Sequence, residues 1–185
     1  MKEVVLAALT VWTHGDGLLS VLAPIGLAAV AGTSLLVDLD PAGPSFGSAT
    51  SLAELVREGP RRDELRPVGA GTAVLANGGI EPGDAEPVVQ ALLKGWPFVV
   101  FRTPVAAARF APLVPVYPML PGLLAESPGR FCVYQRSGFA VEQPGAGIVV
   151  PRPASATVRR LLGGSLPARS RWLRAWQRVW EHPWR

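Results

Sequence analysis

Residues 4–40, VVLAALTVWTHGDGLLSVLAPIGLAAVAGTSLLVDLD, constrain the fold more than any other stretch of the chain. An apolar run leads into a glycine-containing turn, a second apolar run with helical spacing, and a short third run that ends in paired aspartates. This is the layout of a strand, a phosphate-type loop, a helix and a parallel strand, the opening unit of an α/β sheet. The first strand, from Val4 to Thr13, is almost continuously apolar, as a parallel strand covered on both faces should be.

The turn reads Thr13-His14-Gly15-Asp16-Gly17-Leu18-Leu19-Ser20. In a phosphate-binding loop, backbone N–H groups close around the anion, a lysine reaches the terminal phosphates and the next hydroxyl holds magnesium. Gly15 and Gly17 allow the bend, but Leu18 and Leu19 occupy the lysine and hydroxyl positions, and Asp16 brings negative charge to the place of the anion. The turn therefore has the shape of a phosphate loop without its ligands.

Further along, Ser51 and Glu54 form a capping box that opens a short helix, and 72–76 is a short strand closed by Asn77-Gly78-Gly79. A helix is expected from Asp84 to Lys94, followed by a strand in Trp96-Pro-Phe-Val-Val-Phe-Arg-Thr-Pro104. The Ala/Pro/Leu-rich stretch 105–130 predicts one strand, Leu113 to Tyr117, with short helices around it. Strands at 131–135 and from Gly147, and helices over 154–164 and 170–182, complete the pattern.

These motifs resemble the MinD/ParA family of deviant P-loop ATPases, whose loop reads KGGxGKT followed by Thr or Ser and whose second strand ends DxDP. Val37-Asp38-Leu39-Asp40-Pro41 matches the second motif, whereas Thr13, His14 and Leu18 replace the signature lysine, the first glycine and the phosphate-binding lysine. The family's next strand ends in a magnesium-binding aspartate followed by a small residue and proline; here that position is Arg102. Gln135 and Arg136 stand near the adenine-contacting asparagine, and 151–164 is similar to the family's closing segment, most like the pilus-assembly branch called CpaE or TadZ.

The resemblance implies a three-layer, doubly wound, mainly parallel P-loop NTPase-like α/β domain over 1–165, followed by a basic, Trp-rich amphipathic helix over 166–185. It implies a pseudo-ATPase with no catalytic residue, no metal and no cofactor, acting in the positioning or assembly of a membrane machine such as a Tad-type pilus or secretion system. In the emptied pocket, Arg102 is expected to pair with Asp38 or Asp40, because a buried carboxylate needs a partner. Two alternatives remain: an atypical ATPase that binds ATP and magnesium through the loop backbone and the two aspartates, and a heterodimer partner of an intact MinD/ParA-type ATPase. Protein components of the machine, a second copy, such an ATPase and a membrane surface are the partners this reading admits.

Composition narrows the classes further. Apolar residues make up 49% of the 185-residue chain, which excludes a disordered protein, and charged residues only 17%, which points to apolar surface meeting a partner. The net charge of +4 resides in the tail, where 166–185 hold five arginines and one glutamate; the neutral body gives no reason to expect nucleic acid. The lone Cys132 fits a reducing cytoplasm, with core packing as its expected role, and the start Met-Lys-Glu has no basic leader. His14 is expected to fill space at the loop tip, since no partnered nucleophile accompanies it.

The 21 uncharged residues from Gly17 to Val37 are long enough to cross a bilayer. Pro24, Gly26, Gly32 and the flanking aspartates favour a buried helix and strand instead. In the tail, Trp172, Leu173, Trp176, Val179 and Trp180 fall within an arc of about 120°, with Arg171, Arg174 and Arg178 opposite. Such a helix suits two placements: docked on the protein's own sheet or a second copy, or laid on a membrane or another partner.

Overall fold

The computed structural model describes residues 7–184 apart from 16, 62, 63, 66, 68, 70, 108, 124–129 and 166–169; Asp16 and the first residues of both the predicted first strand and the tail lie outside the described residues. Alternating strands and helices run in the order β1 (Ala7–Thr13), α1 (Gly17–Val30), β2 (Ser34–Asp38), α2 (Leu52–Glu58), β3 (Thr72–Leu75), α3 (Glu86–Gly95) and β4 (Phe98–Thr103). Then come β5 (Leu113–Met119), β6 (Cys132–Arg136), β7 (Gly147–Val150), α4 (Ser155–Leu162) and α5 (Arg171–Glu181). The seven strands form one sheet in the order β3-β2-β4-β1-β5-β6-β7, and every pairing is parallel.

Period-two alternation sorts the strand residues between two faces. One face carries Leu9, Val11, Leu36, Val100, Val114, Val116, Val133 and Ile148, and packs on buried residues of α1, α4 and α5. On the other, Leu35, Val37, Val99 and Phe101 pack on α2 and α3. A third cluster, around Trp12, Leu113, Tyr117, Met119, Cys132 and Tyr134, contains no helical residue. The expected short helices around β5 are absent among the described residues of 104–131, where turns and loops connect the strands.

β5 extends two residues beyond the predicted strand, through Pro118, although proline is unusual inside a sheet. Its first half pairs with β1, Thr10 to Thr13 opposite Leu113 to Val116, and its second half with β6, beginning at Val116 opposite Val133. The carbonyls of Pro112 and Val116 accept from the β1 side, so by alternation Pro115 turns its nitrogen towards β6, below the start of that pairing. Pro118 turns its nitrogen towards β1, which has already ended. Both missing N–H groups fall where no strand lies alongside.

The segment 17–37 is α1, a turn at Gly32 with φ 83°, and β2, and no helix among the described residues is long and apolar enough to cross a membrane. Gly26 within it has a packing role. A methyl group there would lie 2.5 Å from the Trp172 ring and 2.8 Å from Trp176 Nε1, so α5 seats its indoles directly on the α1 backbone. The Trp180 indole N–H donates to the Leu27 carbonyl at 2.8 Å, fastening the same crossing.

Candidate functional site: a closed pocket at the strand ends

β2 and β4 lie side by side, and their register places Asp38 opposite Arg102. Both side chains point to the α1 face by alternation, and both are almost wholly buried, at 1% and 2% exposure. The Arg102 guanidinium meets the carboxylate as a fork: Nε donates to Oδ1 at 2.7 Å and Nη2 to Oδ2 at 3.0 Å. Nη1 donates to the Pro44 carbonyl at 2.6 Å, and the Phe46 ring lies 4.8 Å from the guanidinium carbon. Asp40 stands farther off, its Oδ2 3.6 Å from Nη2.

The loop after β2 folds around this cation. Asp40 Oδ1 accepts from the backbone N–H groups of Ala42 and Gly43, at 3.1 and 2.9 Å, and the Asp40 N–H donates to Asp38 Oδ1 at 3.0 Å. The turn delivers the Pro44 carbonyl and Phe46 to the guanidinium. Burial raises the Asp38 carboxyl above its ordinary value, against the pull of the Asp40 N–H and the Arg102 charge. Cation, carboxylates, carbonyl and ring thus satisfy one another and fill the space between the strand ends.

Gly43 is required by that geometry. A methyl group on it would stand 2.0 Å from Asp40 Oδ2 and 2.9 Å from Arg102 Nη2. Gly43→Ala is expected to cost about 1–3 kcal/mol in urea unfolding. Gly47→Ala, four residues on in open space, should stay within about 0.5 kcal/mol.

At the end of β1, Thr13 is the last strand residue, Gly15 takes φ 62°, and Gly17 opens α1. The two ligand positions of the turn diverge: Leu18 is 51% exposed, whereas Leu19 is buried in the core beneath α1. His14 stacks on Tyr117 at 6.0 Å between centroids and meets Trp12 edge-on at 5.9 Å, an aromatic packing role. Cys132 is fully buried and burial raises its thiol pKa, which disfavours the thiolate a nucleophile needs. No group of three or more histidine, cysteine or carboxylate side chains suited to a metal occurs among the described residues.

Gln135, near the adenine-contacting position in the resemblance, is committed to the fold. Its Oε1 accepts from the Trp172 indole at 2.7 Å, and its amide donates to the carbonyls of Pro151 at 2.7 Å and Arg136 at 3.0 Å. That bond ties the tail to the sheet: Trp172, Trp176 and Val179 are buried, while Leu173 and Trp180 pack at the margin. Arg171, Arg174 and Arg178 remain on the exposed side of α5. The apolar stripe is therefore packed inside the protein, and only the basic face of the helix is presented outward. Pro44, Phe46 and Gly43 were not singled out in the sequence; an aromatic shortly after DxDP, with an arginine at the end of another strand, is the signal that points to them.

No family model matches this chain, and no curated protein matches it in sequence.

Proposed function

We propose that this protein is a non-catalytic scaffold: a nucleotide-type α/β sheet whose switch pocket is permanently closed by an internal ion pair. The observation that carries the reading is the Arg102 fork on Asp38, with the Pro44 carbonyl on its third side. A guanidinium cannot be deprotonated and cannot ligate a cation, so magnesium has no donor set at the end of β4. The Leu18 and Leu19 side chains offer a phosphate neither charge nor hydrogen bond. The sheet is thereby held in a single state without a nucleotide.

The resemblance extends the proposal to a MinD/ParA-like pseudo-ATPase that positions or assembles a membrane-associated machine, such as a Tad-type pilus or secretion system, on its cytoplasmic side. Because the tryptophans of α5 are packed inward, attachment to an anionic partner or membrane surface would use the exposed Arg171, Arg174 and Arg178. Calorimetric titration of the full chain with ATP and magnesium tests the core of this reading. No binding heat is expected up to about millimolar nucleotide, and saturable binding near about 1 μM would overturn it.

A further inference from the structure

A second feature at the same end of the sheet lies apart from the Asp38–Arg102 pair, beside the turn at Leu18 and Leu19 and the end of β6 at Gln135 and Arg136. A cleft of about 480 Å³ opens between the first turn of α1, the ends of β5 and β6, and the start of α4. Its volume is in the range of specific binding sites. Leu18, Leu22, Pro118, Leu120 and Val158 supply an apolar floor and wall, and three arginines stand round it: Arg136 at the end of β6, Arg152 before α4 and Arg159 within α4.

All three arginines are exposed, and among the described residues none is paired with a carboxylate; the described lining contains no Asp or Glu. Leu18 is half exposed at the mouth, and Phe139, on the loop that follows Ser137 and Gly138 of the lining, is 61% exposed. Leaving such apolar side chains in water beside guanidinium groups that no described carboxylate pairs marks a surface that meets something else. The charge fixes the sign of that partner, and its distribution fixes the form. Three cations on three elements match several carboxylates spread along a chain better than one compact head group, and each guanidinium can take a carboxylate through two hydrogen bonds.

We infer that this cleft is a docking site for an acidic segment of a partner protein, one that seats apolar side chains on the Leu18, Leu22 and Val158 floor and lays carboxylates against Arg136, Arg152 and Arg159. The inference stands on the cleft alone and does not depend on the Asp38–Arg102 ion pair.

The test is fluorescence anisotropy of the full chain with a fluorescein-labelled 12-residue peptide of alternating Glu and Leu. Its comparators are a Lys/Leu peptide and a Glu/Ser peptide of the same length. Arg152→Glu/Arg159→Glu changes only exposed side chains, and Arg57→Glu, an exposed residue of α2, serves as a charge control. Saturable binding of the Glu/Leu peptide is expected, at least about ten-fold tighter than either comparator, weakened about ten-fold or more by the double variant and unchanged by Arg57→Glu. Equal binding by the double variant, equal loss with Arg57→Glu, or no binding at all overturns the inference. One-site uptake of the small dye 8-anilinonaphthalene-1-sulfonate without peptide binding also overturns it, assigning the cleft to a small amphipathic anion.

Discussion

Arg102→Ala lowers the unfolding free energy by about 3–5 kcal/mol, because it leaves the Asp38 carboxylate buried without its cation. The loss is larger than that of a surface pair because neither group can turn to water, and because the Pro44 carbonyl loses its donor as well. The charge alone is not what the fold needs. Asp38→Leu/Arg102→Met, which replaces both partners with apolar groups, should recover most of the loss, and the two single changes should be strongly non-additive. The pH dependence follows from the direction of the Asp38 shift. In Arg102→Ala the remaining influence of burial raises the folded-state carboxyl further, so the variant's deficit is smallest near the ordinary value of 3.8 and grows as pH rises through the folded value. Urea titrations of wild type and variant at about pH 5 and about pH 7.5 should therefore show the larger gap at the higher pH. An Arg102→Ala protein as stable as the wild type would remove the ion pair as an organising element of the pocket, and with it the main support for a locked sheet.

How far the sequence discloses this arrangement differs from element to element. The alternation of apolar runs and glycine-bounded turns ends β1 at Thr13 and places α1, β2 and the capped α2 within a residue of where they lie, because those signals are local. The register of Asp38 with Arg102 is not local: it arises because β4 inserts between β2 and β1, and no spacing in the chain encodes that insertion. The resemblance put both residues at strand ends, but the roles of Gly43, Pro44 and Phe46 depend on how the loop closes over the guanidinium. The stretch around β5 misleads for a different reason. Ala and Leu favour helix there while Pro112, Pro115, Pro118 and Pro121 forbid it, and the half-and-half pairing of β5 decides the outcome. The tail shows the limit of periodicity. The stripe of Trp172, Trp176 and Val179 is legible as a stripe, but its partner becomes visible only where Gly26 lets α5 approach α1.

Trp176→Ala is the second change with a large expected effect, a loss of about 3–5 kcal/mol in urea unfolding followed by far-ultraviolet circular dichroism. Trp176 is fully buried, meets Trp172 edge-on with centroids 5.6 Å apart, and lies over Gly26, so its removal opens a cavity between α1 and α5. The two indoles differ in one respect. Trp172 donates to Gln135, whereas the Trp176 N–H has no hydrogen-bond partner among the described residues. Phe in place of either removes a similar volume, so the difference between Trp172→Phe and Trp176→Phe isolates the hydrogen bond. Trp172→Phe should cost about 1–3 kcal/mol more, since it strands the buried Gln135 oxygen. These outcomes separate the two placements the sequence left open for the tail. If α5 laid its tryptophans on a membrane, Trp176→Ala would abolish vesicle binding and leave the unfolding free energy within about 0.5 kcal/mol of wild type. With the helix seated on α1, the same change destabilises the whole sheet face, because Trp172, Trp176 and Val179 share one core with Leu22, Leu27 and the strands beneath them.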